Sequence, residues 1–511
     1  MTDALLGVDI GTSSTKAVVA APSGAVLAAQ STRHAIDLPS PGFAEQDAER
    51  VWWQDVVTLC RSVTKAAGQV RIAGVTVSGM GPCLLPCGPQ IEPLRPAILY
   101  GIDTRAEAEI RELTAVLGAR EIVASGGSAL SSQAVGPKMA WLRRHEPELW
   151  RRTRFVHTAH SFVTHRLTGE YVLDHHTASQ FDPLYDMRAG GWHPRWSQEV
   201  AGGVELPRLA WPGEVIGAMT PQAASLTGVP AGTPVIQGTV DAWAEAASAG
   251  VTSPGDLMIM YGSTMFLVLC VADARFDQAI WSTAGVFPET QTYAAGMATS
   301  GLLISWLCDL SGLDFAAAGQ AAAAVPPGAD GLICLPYFAG ERSPLFDPAA
   351  RGAFAGLSLR HHKGHLIRAG YEAVAYGIRH NLEVMARLGA RPDRAVAVGG
   401  GTTGGLWTQI VSDVTGLAQE VPRVTIGAAY GDAYLAALGT GLARRDTSWN
   451  TIAQVVTPDP ASGLAYADGY RTYLQLGEAL LPVSHSLAAA QRGGHDPARD
   501  LEAAAAPGWS R

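Results

Sequence analysis

Leu5-Leu6-Gly7-Val8-Asp9-Ile10-Gly11-Thr12-Ser13-Ser14-Thr15-Lys16-Ala17-Val18-Val19 is the stretch whose reading decides the fold. An apolar run ends on an aspartate, small polar residues reverse the chain, and a second apolar run leaves. Two short strands joined by turn residues predict a β-hairpin. Glycine at position 11 lets the backbone approach a ligand closely. Successive N–H groups, with the Thr12, Ser13 and Thr15 hydroxyls, can surround a phosphate. Asp9, at the strand end beside the turn, is placed to hold Mg²⁺ through water. Read alone, the segment is equally an ordinary hairpin with a solvated aspartate.

Composition narrows the choice. At 511 residues the chain exceeds one hydrophobic core and implies two large domains. Hydrophobic residues make up 47% and charged residues 16%, ample for extensive cores. A net charge of −9 argues against a nucleic-acid surface, which needs a concentrated basic face. The densest basic run, Arg151-Arg152-Thr153-Arg154, reads as a solvated helix end. Phosphate recognition must then be local, through backbone groups and a bound metal. The six cysteines (Cys60, Cys83, Cys87, Cys270, Cys308, Cys334) form no zinc pattern and read as reduced, mainly buried thiols. No leader pattern and no stretch of membrane-spanning length is found, so the expectation is a cytoplasmic protein without a membrane or nucleic-acid partner.

Further along, residues 25–30 predict a third strand, and Asp47 caps a helix running through Val51, Trp52, Val56, Leu59 and Val63. Residues 70–77 predict a strand that opens into Ser78-Gly79-Met80-Gly81-Pro82. Asp103 and Arg105 stand two apart just past an apolar run, where open α/β sheets present ligand-binding groups. Asp103 reads equally as the cap of a helix over 106–117. A helix over 158–168 leads into an aromatic-rich loop to about residue 212, whose His175, His176 and His193 read as solvated loop histidines rather than metal ligands. A strand over 233–238 and a helix over 240–250 meet at Asp241, which fits a helix cap and a catalytic carboxylate alike. After a Pro/Gly link at 251–256, strands over 257–261 and 265–271 flank Gly262-Ser263-Thr264. That repeats the opening device, and two such hairpins facing across a cleft can clasp one triphosphate. A strand over 395–398 runs into Gly399-Gly400-Gly401-Thr402-Thr403-Gly404, so a dinucleotide site is also weighed, with only Glu420 loosely supplying its carboxylate.

Several segments resemble the FGGY carbohydrate kinases of the actin, hexokinase and Hsp70 superfamily. The opening hairpin is similar to that superfamily's first phosphate-binding hairpin. Phe43-Ala44-Glu45-Gln46-Asp47 resembles the family's G-x-x-E-Q-D/N-P connection. Residues 132–142, ending Lys138-Met139-Ala140-Trp141-Leu142, resemble a signature built on K-x-x-W-L, with Val135 where a small residue is usual. Residues 336–348 and 350–359 resemble G-E-R-[ST]-P-x-x-D-P-x-A-R-G-x-F-x-G-L, and 365–372 resemble the second signature, with Gly370 as a departure. The Gly- and Ala-rich stretch 426–439 is similar to the close-packed helix that ends the fold.

The resemblance spans about residues 4–485 and implies two actin-like (ribonuclease H-like) α/β domains, with mixed β-sheets flanked by helices and a cleft between them. The implied division is 1–252 for sugar binding and the catalytic base, 253–485 for the nucleotide, and 486–511 as a mobile tail. The implied reaction moves the γ-phosphate of ATP, with Mg²⁺, to a carbohydrate hydroxyl. Carried over residue by residue, Asp241 is the general base and Asp9 the metal contact. Gly11, Thr12, Ser13, Ser14 and Lys16 face Gly262, Ser263 and Thr264 across the phosphates. Gly399, Gly400 and Gly401 admit the nucleotide, and Met80, Asp103 and Arg105 read the substrate. The layout lies nearest the xylulokinase and gluconokinase branch, which makes a ketopentose such as xylulose the expected acceptor. Met80-Gly81-Pro82 lacks the Q-M-H-G of many xylulokinases, so gluconate, another ketose or a polyol stays open. A non-catalytic sensor and an NAD-dependent oxidoreductase are the rivals from other classes. The oligomeric state is left open, a homodimer included.

Overall fold

Apolar runs interrupted by small polar turns build two similar mixed sheets, described for residues 2–447 and 449–493 in a computed structural model. The first sheet holds β1 (Thr2–Ile10), β2 (Ser14–Ala20), β3 (Val26–Arg33), β4 (Val70–Gly79), β5 (Val215–Ala218) and β6 (Pro234–Ile236) in the order β5-β6-β4-β1-β2-β3. β1 to β3 form an antiparallel meander, and β4 and β6 add to it in parallel. The second sheet holds β7 (Asp256–Tyr261), β8 (Met265–Val271), β9 (Trp281–Ala284), β10 (Gln291–Met297), β11 (Arg394–Val398), β12 (Gln419–Pro422) and β13 (Ile452–Val456). Its order is β9-β10-β8-β7-β11-β12-β13, so a meander again meets two parallel strands. The repeat expected from two hairpins therefore extends to whole sheets.

Helices cover the faces. Asp47 accepts from the Glu49 and Arg50 N–H groups at 3.0 Å and opens a π-helical turn, Ala48–Trp53, that continues as α1 (Gln54–Ala67). α2 (Asp241–Ser248) follows β6, α3 (Lys363–Arg387) crosses the second sheet, and α4 (Leu406–Thr415) follows the glycine turn after β11. α5 (Ala428–Gly439) comes from the second half of the chain, yet lies against β1, β4 and α2 of the first. That contact depends on missing side chains. A Cβ on Gly7 would stand 2.1 Å from the Ala429 carbonyl oxygen, and one on Gly431 would stand 1.9 Å from the Ala244 carbonyl oxygen.

Each sheet has its own core, around Trp52, Val56 and Val75 in one and Tyr261, Leu267 and Tyr376 in the other. A third core is shared between the halves, joining Leu5, Val18, Ile236 and Trp243 to Met258, Val268, Val396 and Tyr434. All six cysteines are buried and unbridged. No single helix among the described residues is long and apolar enough to cross a membrane. Of the stretch 486–511 set apart as a tail, residues up to Gly493 continue the last helix, and 494–511 lie outside the described residues.

Candidate active site

The two hairpins meet over a cavity of about 390 Å³ between the sheets. Gly11, Thr12, Ser13, Ser14 and Lys16 line it from the β1–β2 hairpin, and Thr264 and Phe266 from the β7–β8 hairpin. Asp9, one residue before the end of β1, stands in register with Lys16 on β2. Asp241 and Glu245, one turn apart on α2, complete the floor. Tyr100 closes one side, its hydroxyl 2.8 Å from Thr12 Oγ1.

A second cavity of about 850 Å³ opens on the far side of the β7–β8 turn. Gly262, Ser263, Gly400 and Gly401 line it, with Phe315, Tyr371 and Trp407 among its apolar walls. The 262–264 turn thus touches one cavity with Gly262 and Ser263 and the other with Thr264. Gly399 lines neither; its φ of +90° and the Tyr261 carbonyl 2.6 Å from a built Cβ make it the pivot that turns the chain there.

Carboxyl groups dominate the floor. Burial, and next the Asp241 charge, hold the Asp9 carboxyl far above the usual carboxylate range. Burial raises Asp241 too, against the Ala242 N–H that donates to its Oδ1 at 2.7 Å. Asp241 is the first helical residue of α2 rather than its cap, which is Val240. Burial, then Asp241, pushes Glu245 up to about 7. Lys16 is the cation that offsets all three. Asp9 Oδ1 is buried without a hydrogen-bond partner among the described residues. Among the described residues no three His, Cys, Asp or Glu side chains converge into a cage. One or two carboxylates completed by waters and phosphates is how Mg²⁺ is usually held, so this donor set fits that ion.

Glu245 carries a pH signature. Its folded value lies above the ordinary 4.5, so it contributes stability in acid that is lost as pH rises toward about 7. Above that the buried charge opposes folding in full. Glu245→Gln is therefore expected to raise the melting temperature of the ligand-free enzyme above about pH 7, with the gain fading toward pH 4.5. Thermal unfolding of both proteins across that range reads it; a pH-independent difference would contradict it.

Three expected substrate contacts lie elsewhere. Asp103 and Arg105 form a fully buried ion pair at 2.7 Å. Asp103 Oδ2 also accepts from the Ala44 N–H at 2.7 Å, and Arg105 reaches Glu45 at 2.8 Å under the Phe43 ring. Met80 is fully enclosed in the first core. None of the three lines the cavity. The pair instead ties the 43–47 connection to the turn that carries Tyr100, so its influence on the cavity runs through that ring. The loop histidines are likewise not solvated as a group. His176 is buried, its ring 3.9 Å from that of Trp243, and its Nδ1 donates to the Ala284 carbonyl at 2.7 Å. Burial lowers it to about 4. His175 stacks on Trp211. The sequence signal that was available is aromatic richness, which supplies the stacking partners.

Behind Asp241, Thr239 Oγ1 donates to Asp174 Oδ2 at 2.8 Å, and His160 Nε2 lies 3.0 Å from Asp174 Oδ1. This buried trio fixes the backbone leading into α2. Asp174 and His160 were not singled out in the sequence, where nothing links positions so far apart.

Profiles of whole domains agree with this architecture. Residues 4–247 match the N-terminal domain of the FGGY family of carbohydrate kinases, and residues 257–440 match its C-terminal domain. A xylulose kinase of Escherichia coli (strain K12) is 28% identical over 495 residues, covering 94% of this chain and 99% of that protein. A gluconokinase of Bacillus subtilis (strain 168) is 26% identical over 457 residues, covering 86% of this chain and 88% of that protein. The crystal structure of xylulose kinase from Rhodospirillum rubrum superposes with a TM-score of 0.88 at 33% identity, covering 94% of this chain and all of that one. Duplicated actin-like sheets, paired hairpin turns over one cavity and profile matches across most of the chain establish that this protein belongs to the FGGY family of carbohydrate kinases.

Proposed function

We propose that this sugar kinase phosphorylates a small ketose, a ketopentose such as xylulose, with Asp241 as general base. The observation that carries the reading is the convergence of Asp241 and both hairpin turns on one cavity, beside a second cavity reached through the 262–264 turn. The nucleotide lies in the larger cavity against Gly400 and Gly401, where Gly399 turns the chain. Its terminal phosphates pass the 262–264 turn toward residues 11–14 and Lys16. Asp9 holds Mg²⁺ there; when bound, the ion neutralises charge on the β- and γ-phosphates. Asp241 accepts the proton of the sugar hydroxyl as its oxygen bonds to the γ-phosphorus, and the bond from phosphorus to the β–γ bridging oxygen breaks, releasing ADP. A base raised by burial is stronger than an ordinary carboxylate, which suits a weakly acidic hydroxyl. We place the functional division at 252/253; matches over 4–247 and 257–440 support a division in that region.

A second acceptor class is favoured by Arg342. Arg342 lines the cavity beside the buried Glu341, and a guanidinium there suits a sugar carboxylate. ADP release with Mg-ATP across xylulose, other ketoses, polyols and gluconate separates the readings. Turnover highest with a ketopentose is the expected result. Turnover highest with gluconate transfers the role to the Arg342 reading, and ATP binding without turnover on any sugar would overturn both.

A further inference from the structure

Asp182 lines the substrate cavity, yet it belongs to neither hairpin and not to the floor. The residue is 5% exposed, and its Oδ1 is buried with no hydrogen-bond partner among the described residues. Such an oxygen keeps the full cost of leaving water, so native proteins rarely tolerate one without a use.

Two absent side chains make its seat. A Cβ on Gly126 would stand 2.0 Å from Asp182 Oδ1, and one on Gly136 would stand 2.4 Å from the Asp182 carbonyl oxygen. That carbonyl accepts from the Gly136 N–H at 3.1 Å, which pins the backbone. The carboxyl itself keeps room beside Gly126, and its terminal torsion is soft, so either oxygen can turn to a ligand. Polar neighbours on the same wall are already engaged. Ser128 Oγ donates to the Ser282 carbonyl at 3.2 Å and accepts from the Ser282 N–H at 3.1 Å. Gln180 Nε2 donates to His176 Nε2 at 2.9 Å. Burial alone pushes the Asp182 carboxyl well above the usual range, whereas Asp9, Asp241, Glu245 and Lys16 act on one another. Asp182 therefore stands apart from that floor.

We propose that Asp182 is a substrate-binding residue that sets specificity, its carboxyl taking the hydroxyl that the acceptor carries at the end away from the one phosphorylated. This rests on the reading that the cavity holds the acceptor sugar. A hydroxyl both donates and accepts, so it completes a carboxyl oxygen in either protonation form. A wall built to pair a hydroxyl rejects the analogue that lacks it, because the buried oxygen is then left alone. The substrate class is accordingly a polyhydroxy compound with a free hydroxyl at both ends, and deoxy sugars lacking the remote one are excluded.

The test measures ADP release at saturating Mg-ATP with xylulose, or with whichever sugar of the panel turns over fastest. NMR of the product locates the phosphate, and the deoxy analogue lacking the hydroxyl farthest from it is assayed beside the parent sugar. In the unaltered protein the analogue is expected to lose about 10–100-fold in kcat/KM, the scale of one hydrogen bond to a carboxyl. Asp182→Ala is expected to lose that factor with the parent sugar and to treat sugar and analogue nearly alike. Gly126→Ala keeps the carboxyl but fills its seat, and is expected to level the two sugars as well. Residues 119–126 are helical, so alanine there suits the backbone, and this variant carries the test if Asp182→Ala fails to fold. If both variants separate the two sugars by the factor of the unaltered protein, the proposal falls. A preferred acceptor with no hydroxyl at the remote end also overturns it. Asp241→Asn separates the proposal from the reading beneath it. Turnover lost in Asp241→Asn, with the Asp182 and Gly126 variants both like the parent, leaves the acceptor site standing and removes Asp182 from it. If no sugar of the panel is turned over or shifts the melting temperature of the unaltered protein, both fall.

Discussion

Replacing Asp241 with asparagine is expected to lower sugar-dependent ADP release by about 10²–10⁴-fold, the usual contribution of a positioned general base. The substitution keeps shape and removes only the ability to take a proton. Its Oδ1 contact with the Ala242 N–H survives, since an amide oxygen also accepts. Removing a buried negative charge beside Asp9 and Glu245 relieves repulsion, so the variant should melt no lower than the parent. Mg-ATP binding should persist, because the phosphate contacts proposed above come from the hairpins. Steady-state kinetics with calorimetry of nucleotide binding reads all three. Near-normal turnover in Asp241→Asn would remove the base assignment, while lost turnover together with lost folding would show a structural role instead.

Gly431→Val is the second large effect. Its Cβ would lie 1.9 Å from the Ala244 carbonyl oxygen and 2.4 Å from the carbonyl carbon, both backbone atoms of α2 that no rotamer change can move. Overpacking usually costs about 1–3 kcal/mol where side chains yield, and here the clash falls on backbone, so at least the upper end applies. At roughly 2–4 °C per kcal/mol for a large domain, the melting temperature should fall by about 10 °C. Gly463→Ala, with open space around it, is the control and should leave stability nearly unchanged. Ala244 sits between Asp241 and Glu245 in sequence, so Gly431→Val molecules that remain folded should also turn over more slowly. A variant that melts like the parent would mean that α5 does not rest on α2 as described.

Much of the fold was legible because its decisive signals are local. A strand, a small polar turn and a second strand fit within fifteen residues, and the pattern occurs twice. Both hairpins, the glycine turn at 399–401 and the small-residue helix α5 were readable for that reason. Asp241 was ambiguous by itself, since a residue at a strand–helix junction looks like a cap; the structure gives capping to Val240. What stayed hidden depends on partners remote in sequence. Arg105 left the substrate wall because Glu45 and Asp103 claim it, and His176 was buried by Trp243 and Ala284. Glu245 looked like any helix carboxylate until the fold set it beside Asp241 and Lys16. The seat of Asp182 was invisible, because nothing in its loop announces that Gly126 and Gly136 enclose it.

The core shared between the halves has a consequence for how the chain becomes a protein. Leu5, Ile236 and Trp243 complete their packing only against residues that follow position 256, including Tyr434 far toward the C-terminus. A nascent chain that has emerged only as far as α2 therefore exposes the apolar face on which α5 will lie. The N-terminal half is therefore not an autonomous folding unit. Synthesis must approach its end before β1, which carries Asp9, and α2, which carries Asp241, are locked in place. Fragments cut at the link between the halves would be sticky partners that regain activity by finding each other, rather than independent domains.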